Sequence, residues 1–148
     1  LAAVASMQPI HLTFDAASLR ALLPDRIDRA YRTRDLLDAG VPLAFGSDTP
    51  VASPDVLEGL RAAVGRLGGD GVELGAGQAL TVPEALQAYT TGAAFAIGRE
   101  GRSGMLREGY DADVVLLDHD PLAGLDDLAV VATVMDGSFT HGDEAVGG

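Results

Sequence analysis

The sequence predicts an α/β protein: consecutive βα units of a parallel sheet, followed by a small β module. Three observations carry this. Short apolar runs that end in turn residues occur at 1–10 and 41–45, and each is followed by a stretch with helical spacing. Capping and stop residues frame those helical stretches. After Gly98 the helical spacing ends, and glycine-punctuated apolar runs take over.

The elements follow in order. Residues 1–10, "LAAVASMQPI", read as a buried strand closed by Gln8 and Pro9, with His11 directly after it. The run opens without Met, and the expectation is that the natural chain begins upstream. Residues 12–24 form a loop or short helix stopped by Pro24. A helix is expected from Arg26 to Ala39, with Ile27, Ala30, Tyr31 and Leu37 on its apolar face and Gly40 as its stop. Val41 to Phe45 is a strand. Ser53-Pro54-Asp55 starts the next helix, with Ser53 as cap, Pro54 in the first turn and Asp55 at the positive end of the dipole. Leu57, Leu60, Val64 and Leu67 continue it. "GGDGVELGAG" is a loop. Thr81 to Glu84 is a capping box, opening a helix that carries Leu86, Tyr89, Ala93 and Ile97 to a stop at Gly98. Turns at Gly101, Gly104 and Gly109 lead to a β run from Ala112 to Leu117. Asp136-Gly137 joins Val134-Met135 to Ser138-Phe139 as a two-residue hairpin. A boundary near residue 100 divides the chain into 1–100 and 101–148.

Composition narrows the partners. The 148 residues are 47% hydrophobic and 22% charged, a globular mixture of one-domain size. The net charge is −12, from ten Arg, no Lys and 22 acidic residues, which argues against a nucleic acid partner. No apolar run approaches the roughly 18 residues that span a bilayer, so no membrane partner is expected. Cysteine is absent, which removes disulfides and thiolate metal sites and fits a reducing compartment; a cytoplasmic location is the expectation.

Functional groups of parallel α/β folds sit where strands end at their carboxyl side. His11 and Asp48 both fall there, in "QPIH" and "GSDTP", and successive strand tips would point them into one cleft. Two readings of Asp48 stand at this point. It is a functional carboxylate, or it is a turn aspartate in Ser-Asp-Thr-Pro, which is turn chemistry on any account. His11 is correspondingly a pocket residue or a histidine satisfied by a loop carbonyl. Gln8 and Ser47 read as hydrogen-bonders at the strand ends. Tyr89 reads as core. Asp111, Asp113, Asp118 and Asp120 lack the Gly and terminal Glu of a calcium loop and read as a solvated strand edge, with His119 exposed beside them. "GGDGVELGAG" has no following Lys and is not a phosphate loop, and "GREGRSG" reads as a linker.

Four stretches point to a family. "ASMQPIH", "RTRDLLDAGVPLAFGSDTPV", "EALQAYTTGAAFAIG" and "GRSGMLREGYDADVVLLDHDPL" occur in that order. Together they resemble the C-terminal part of a metal-dependent amidohydrolase of family 3, in the branch of YtcJ-like proteins and N-substituted formamide deformylases. The resemblance implies the last βα units of a (β/α)8 TIM-type barrel followed by part of a small β-sandwich. It implies a hydrolase of non-peptide C–N bonds acting on a small amide-like substrate with a divalent metal, zinc above all. Asp48 matches the family's strand-eight aspartate, which binds metal and shuttles the proton of the attacking water. His11 matches a strand-seven tip that lines the substrate pocket.

The family's remaining ligands, a His-x-His pair and later histidines, are not in this sequence, whose three histidines are His11, His119 and His141. The expectation is therefore a C-terminal portion that is inactive alone. A rival of another class is a non-catalytic binding or assembly module reusing the scaffold, forming a homo-oligomer or associating through exposed barrel edges. A weaker rival is a metal-free enzyme using Asp48 and His11 as an acid–base pair.

Overall fold

The computed structural model describes residues 3–142, so Leu1 and Ala2 of the expected first strand and 143–148 of the expected β module lie outside the described residues. Strands β1 (Ala5–Met7) and β2 (Leu43–Phe45) pair in parallel, Ala5 opposite Leu43 and Met7 opposite Phe45. Between them run helix α1 (His11–Leu22), a 3-10 turn at Pro24–Arg29, and helix α2 (Thr33–Asp38). After β2 come α3 (Val56–Gly65) and α4 (Val82–Gln87). The α4 helix continues through a π turn at Ala88–Gly92 into α5 (Ala93–Ala96). Strands β3 (Val114–Leu117), β4 (Val130–Met135) and β5 (Ser138–His141) then form an antiparallel sheet in that spatial order. The fold is thus mixed α/β, as expected.

Local chemistry accounts for most boundaries. Gly40, at φ 73°, supplies the left-handed residue that stops α2. The Thr81 amide donates to Glu84 Oε2 at 2.8 Å, completing the capping box of α4. Asp136 (φ 49°) and Gly137 (φ 76°) are both left-handed, as a two-residue hairpin turn between β4 and β5 requires. The Asp136 amide donates to Asp113 Oδ1 at 2.9 Å and the Gly137 amide to the Ala112 carbonyl at 3.1 Å. These bonds to the hairpin engage Ala112 and Asp113, and β3 begins only at Val114.

Other expectations fail for reasons that lie farther away. The first strand is three residues long and half-exposed rather than buried, because β2 is its one strand neighbour among the described residues. The helix expected over 26–39 is broken at Ala30–Arg32, where Tyr31 takes φ 50°. The buried Arg66 guanidinium donates to the carbonyls of Ala30 and Tyr31, each at 3.1 Å, and so claims acceptors that a continuous helix would use internally. Asp55, not Ser53, caps α3: its carboxylate accepts from the Leu57 amide at 2.8 Å, a charged oxygen being the stronger acceptor. Arg66 ends that helix at φ 51°, which leaves Leu67 outside it and exposed.

One apolar core gathers Leu43, Phe45, Leu60, Ala63, Leu80, Ala85 and Ala88, and a second gathers Leu12, Ala16 and Leu74. The second half of the chain returns to the first: Leu125 packs on the larger core, and Arg61 of α3 donates to the carbonyls of Leu125 and Leu128, each at 2.9 Å. No helix among the described residues is long and apolar enough to cross a membrane.

Candidate functional site

All three residues of β2 are buried, although side chains alternate between the faces of a strand. Both faces are therefore covered, the condition of a strand in a parallel sheet. The ladder extends past the strands: the Gly46 amide donates to the Met7 carbonyl at 3.2 Å. His11 and Asp48 thus leave from the same end of the two-stranded sheet, four residues beyond Met7 and three beyond Phe45.

The turn after β2 is built without the carboxylate of its aspartate. The Ser47 and Thr49 hydroxyls bond to each other at 2.8 Å, and Thr49 Oγ1 donates to the Ala52 carbonyl at 3.2 Å. The Val51 amide closes on the Asp48 carbonyl at 2.8 Å. Asp48 itself sits at φ 60°, an uncommon conformation that Asp tolerates better than most residues. Among the described residues its side chain accepts no bond within the turn, while its left-handed backbone is one that a turn aspartate supplies. The following helix is capped by Asp55, so Asp48 is not a cap either. Its side chain is exposed at the sheet's end.

His11 is the first residue of α1, set by the bond from its amide to the Gln8 carbonyl at 3.1 Å. Its Nε2 is buried and has no hydrogen-bond partner among the described residues, so no described loop carbonyl satisfies this nitrogen.

These observations set what a divalent metal would find. An exposed carboxylate outside its turn's bonds fits a ligand. Among the described residues, however, no three His, Asp or Glu side chains are grouped closely enough to hold an ion. Asp111, Asp118 and Asp120 of the β module are engaged otherwise. Asp111 takes Arg102 at 2.7 Å and Arg99 at 3.1 Å, which holds its carboxyl below the usual range. Asp118 accepts from the Ala129 amide at 3.0 Å and Asp120 from the Leu122 amide at 2.9 Å. The two arginines of "GREGRSG" are thus both ion-paired to Asp111, three residues before β3. Sequence reasoning passed over Arg66. Nothing in an arginine near a helix end signals burial, and this one is 1% exposed.

A model of the amidohydrolase family matches residues 1–141. The chain belongs to the amidohydrolase family. Two curated relatives agree with the branch expected from the motifs. The amidohydrolase YtcJ of Bacillus subtilis is 35% identical over 124 residues, covering 79% of this chain and 23% of its own length. The N-substituted formamide deformylase of Arthrobacter pascens is 34% identical over 117 residues, covering 76% and 22%. Among solved structures, an uncharacterized metal-dependent hydrolase of Pyrococcus horikoshii superposes with a TM-score of 0.71 at 29% identity. It covers 95% of this chain and 27% of that one. This amidohydrolase-family chain therefore spans about a quarter of the length of the relatives it matches.

Proposed function

We propose that this chain supplies the last two βα units of a (β/α)8 barrel, within 1–100, and part of an adjoining β-sandwich, within 101–148, to a metal-dependent hydrolase of non-peptide C–N bonds. The observation that carries the reading is the Asp48 carboxylate, delivered to a strand's carboxyl end and left out of its own turn. The open edges of the small sheet support the barrel. Apolar grooves flank both strands, one of about 330 Å³ along β2 lined by Leu37, Leu43, Ala88 and Phe95, the other beside Met7.

A divalent metal, zinc by the family's habit, would supply Lewis acidity and an activated water. Asp48 would be one of its ligands, held by a short buried strand rather than by a free loop. The same carboxylate would take a proton from the attacking water and return it to a leaving amine. His11, at the same end of the sheet, would line the substrate pocket. The substrate class is a small amide, as the name of the formamide deformylase relative suggests. A cytoplasmic location stays with the same proposal.

Because zinc normally takes three protein ligands in a catalytic site, the 148-residue chain by itself should neither retain stoichiometric zinc nor turn over amides. The full-length protein carrying this segment should hydrolyse N-substituted formamides or related amides, lose that activity to a chelator and regain it with zinc. Activity indifferent to chelator would instead favour the metal-free pair of Asp48 and His11. The two apolar grooves also favour self-association of the isolated chain, the second reading. Light scattering of the 15.2 kDa chain decides it, a dimer or larger species supporting the assembly module and a monomer opposing it.

A further inference from the structure

The strand that carries Asp48 is clamped from one side at two points. At its start, Gly92 lies against the Leu43 carbonyl so closely that a Cβ at 92 would stand 2.1 Å from that oxygen. At its end, the ring of Phe45, itself buried, meets the ring of Tyr89 edge-on, with centroids 5.3 Å apart and planes at 73°. Tyr89 and Gly92 both belong to the π turn between α4 and α5, a turn type that recurs at functional sites. Tyr89 is held in turn by α3. Its hydroxyl occupies the space that a side chain at Gly59 would fill, where a Cβ would lie 1.9 Å from the oxygen. The helix before the π turn, the helix capped by Asp55 and the strand therefore meet at one aromatic ring. Burial, with the Asp55 charge beside it, pushes the Tyr89 hydroxyl up to about 12, so it stays neutral.

We propose that Tyr89 is a positioning residue for Asp48. Phe45 is three residues before Asp48; between them Gly46 extends the ladder to Met7 and the Ser47 hydroxyl is tied to that of Thr49. Where the Phe45 ring comes to rest therefore sets where the carboxylate stands. A misplacement of about 1 Å at a reacting group can cost about 100-fold in rate, so the contact acts on chemistry and not on packing alone. This rests on the reading of Asp48 as a metal-binding, proton-handling group.

The test uses the full-length protein with four variants: Tyr89→Phe, Tyr89→Leu, Leu86→Ala and Asp48→Asn. Leu86 lies on the same helix and packs on the same core, which makes it the control for lost packing. Readouts are kcat and KM on an N-substituted formamide, and zinc retained after dialysis. Tyr89→Phe keeps the ring and is expected to match the natural protein in both. Tyr89→Leu is expected to lower kcat by about 100-fold with KM little changed, and to retain less zinc. Leu86→Ala is expected to lose thermal stability without that drop in kcat. Equal kcat and zinc in Tyr89→Leu and Leu86→Ala, with Asp48→Asn inactive, overturns the inference alone. Full turnover in Asp48→Asn removes the reading beneath it as well. Should Tyr89→Leu fail to fold, Gly59→Ala displaces the same ring, and an unchanged kcat there overturns the proposal equally.

Discussion

Arg66 and Leu74 bond to each other twice: the Leu74 amide donates to the Arg66 carbonyl at 2.9 Å, and Arg66 Nε donates to the Leu74 carbonyl at 2.8 Å. With the carbonyls of Ala30 and Tyr31, three backbone acceptors surround a guanidinium that is 1% exposed. Burial lowers its pKa, yet an arginine remains charged there. Arg66→Leu would strand the carbonyls of Ala30 and Leu74, while that of Tyr31 keeps its bond from the Thr33 amide at 2.7 Å. An unmet buried acceptor costs about 1–3 kcal/mol, so the variant should lose on the order of 2 kcal/mol or more in urea unfolding. A loss under about 1 kcal/mol would show that water replaces the side chain.

Acid should act through Glu84. Arg34, first, and the Thr81 amide hold its carboxyl down to about 2, from an ordinary 4.5. A depressed carboxyl contributes stability that is fully present above its unfolded value and is lost as pH falls through the folded one. Between pH 4.5 and about 2 the natural chain should therefore lose more stability than Glu84→Gln, which has no proton to take up. At neutral pH the variant should melt lower. Parallel Tm curves for the two proteins across that range would remove Glu84 from the acid response.

The close approach at Gly92 makes a steric prediction. In Gly92→Ala the new Cβ would stand 2.1 Å from the Leu43 oxygen and 3.2 Å from that of Gln87, both backbone atoms that cannot swing aside. The strand or the π turn must move, at about 1–3 kcal/mol by the usual cost of overpacking. Gly77→Ala is the control, since a Cβ there meets nothing within 4 Å. Equal melting of the two variants would contradict the clamp on β2.

At the hairpin the cost is conformational instead. Gly137 has φ 76°, and a Cβ there would only touch that of Ala112 at 4.0 Å. Gly137→Ala should cost about 1 kcal/mol in chemical denaturation, from the left-handed backbone alone. A neutral result would mean that the turn is not held in that conformation.

Where signals are local, the sequence was legible. The apolar run 41–45 announced the strand that forms over Leu43–Phe45, Thr81 and Glu84 their capping box by spacing, and Asp136-Gly137 its turn by residue type. The break at Tyr31 was illegible because its cause, Arg66, lies 35 residues away in the chain. The cap of α3 was misplaced by two residues because Ser53 and Asp55 are both competent and only the carboxylate's greater strength decides. At the candidate site, sequence reasoning put His11 and Asp48 at one end of the sheet. It could not foresee that the turn's side-chain bonds would come from Ser47 and Thr49, since hydroxyl and carboxylate can each make them.

The central claim is that Asp48 handles metal and proton, and Asp48→Asn in the full-length protein tests it most directly. The change keeps the side chain's size and removes its charge, while the turn keeps its own bonds. Formamide turnover should fall by at least about 100-fold and bound zinc should drop, with an unchanged circular dichroism spectrum. Full turnover with a full complement of zinc would contradict the account.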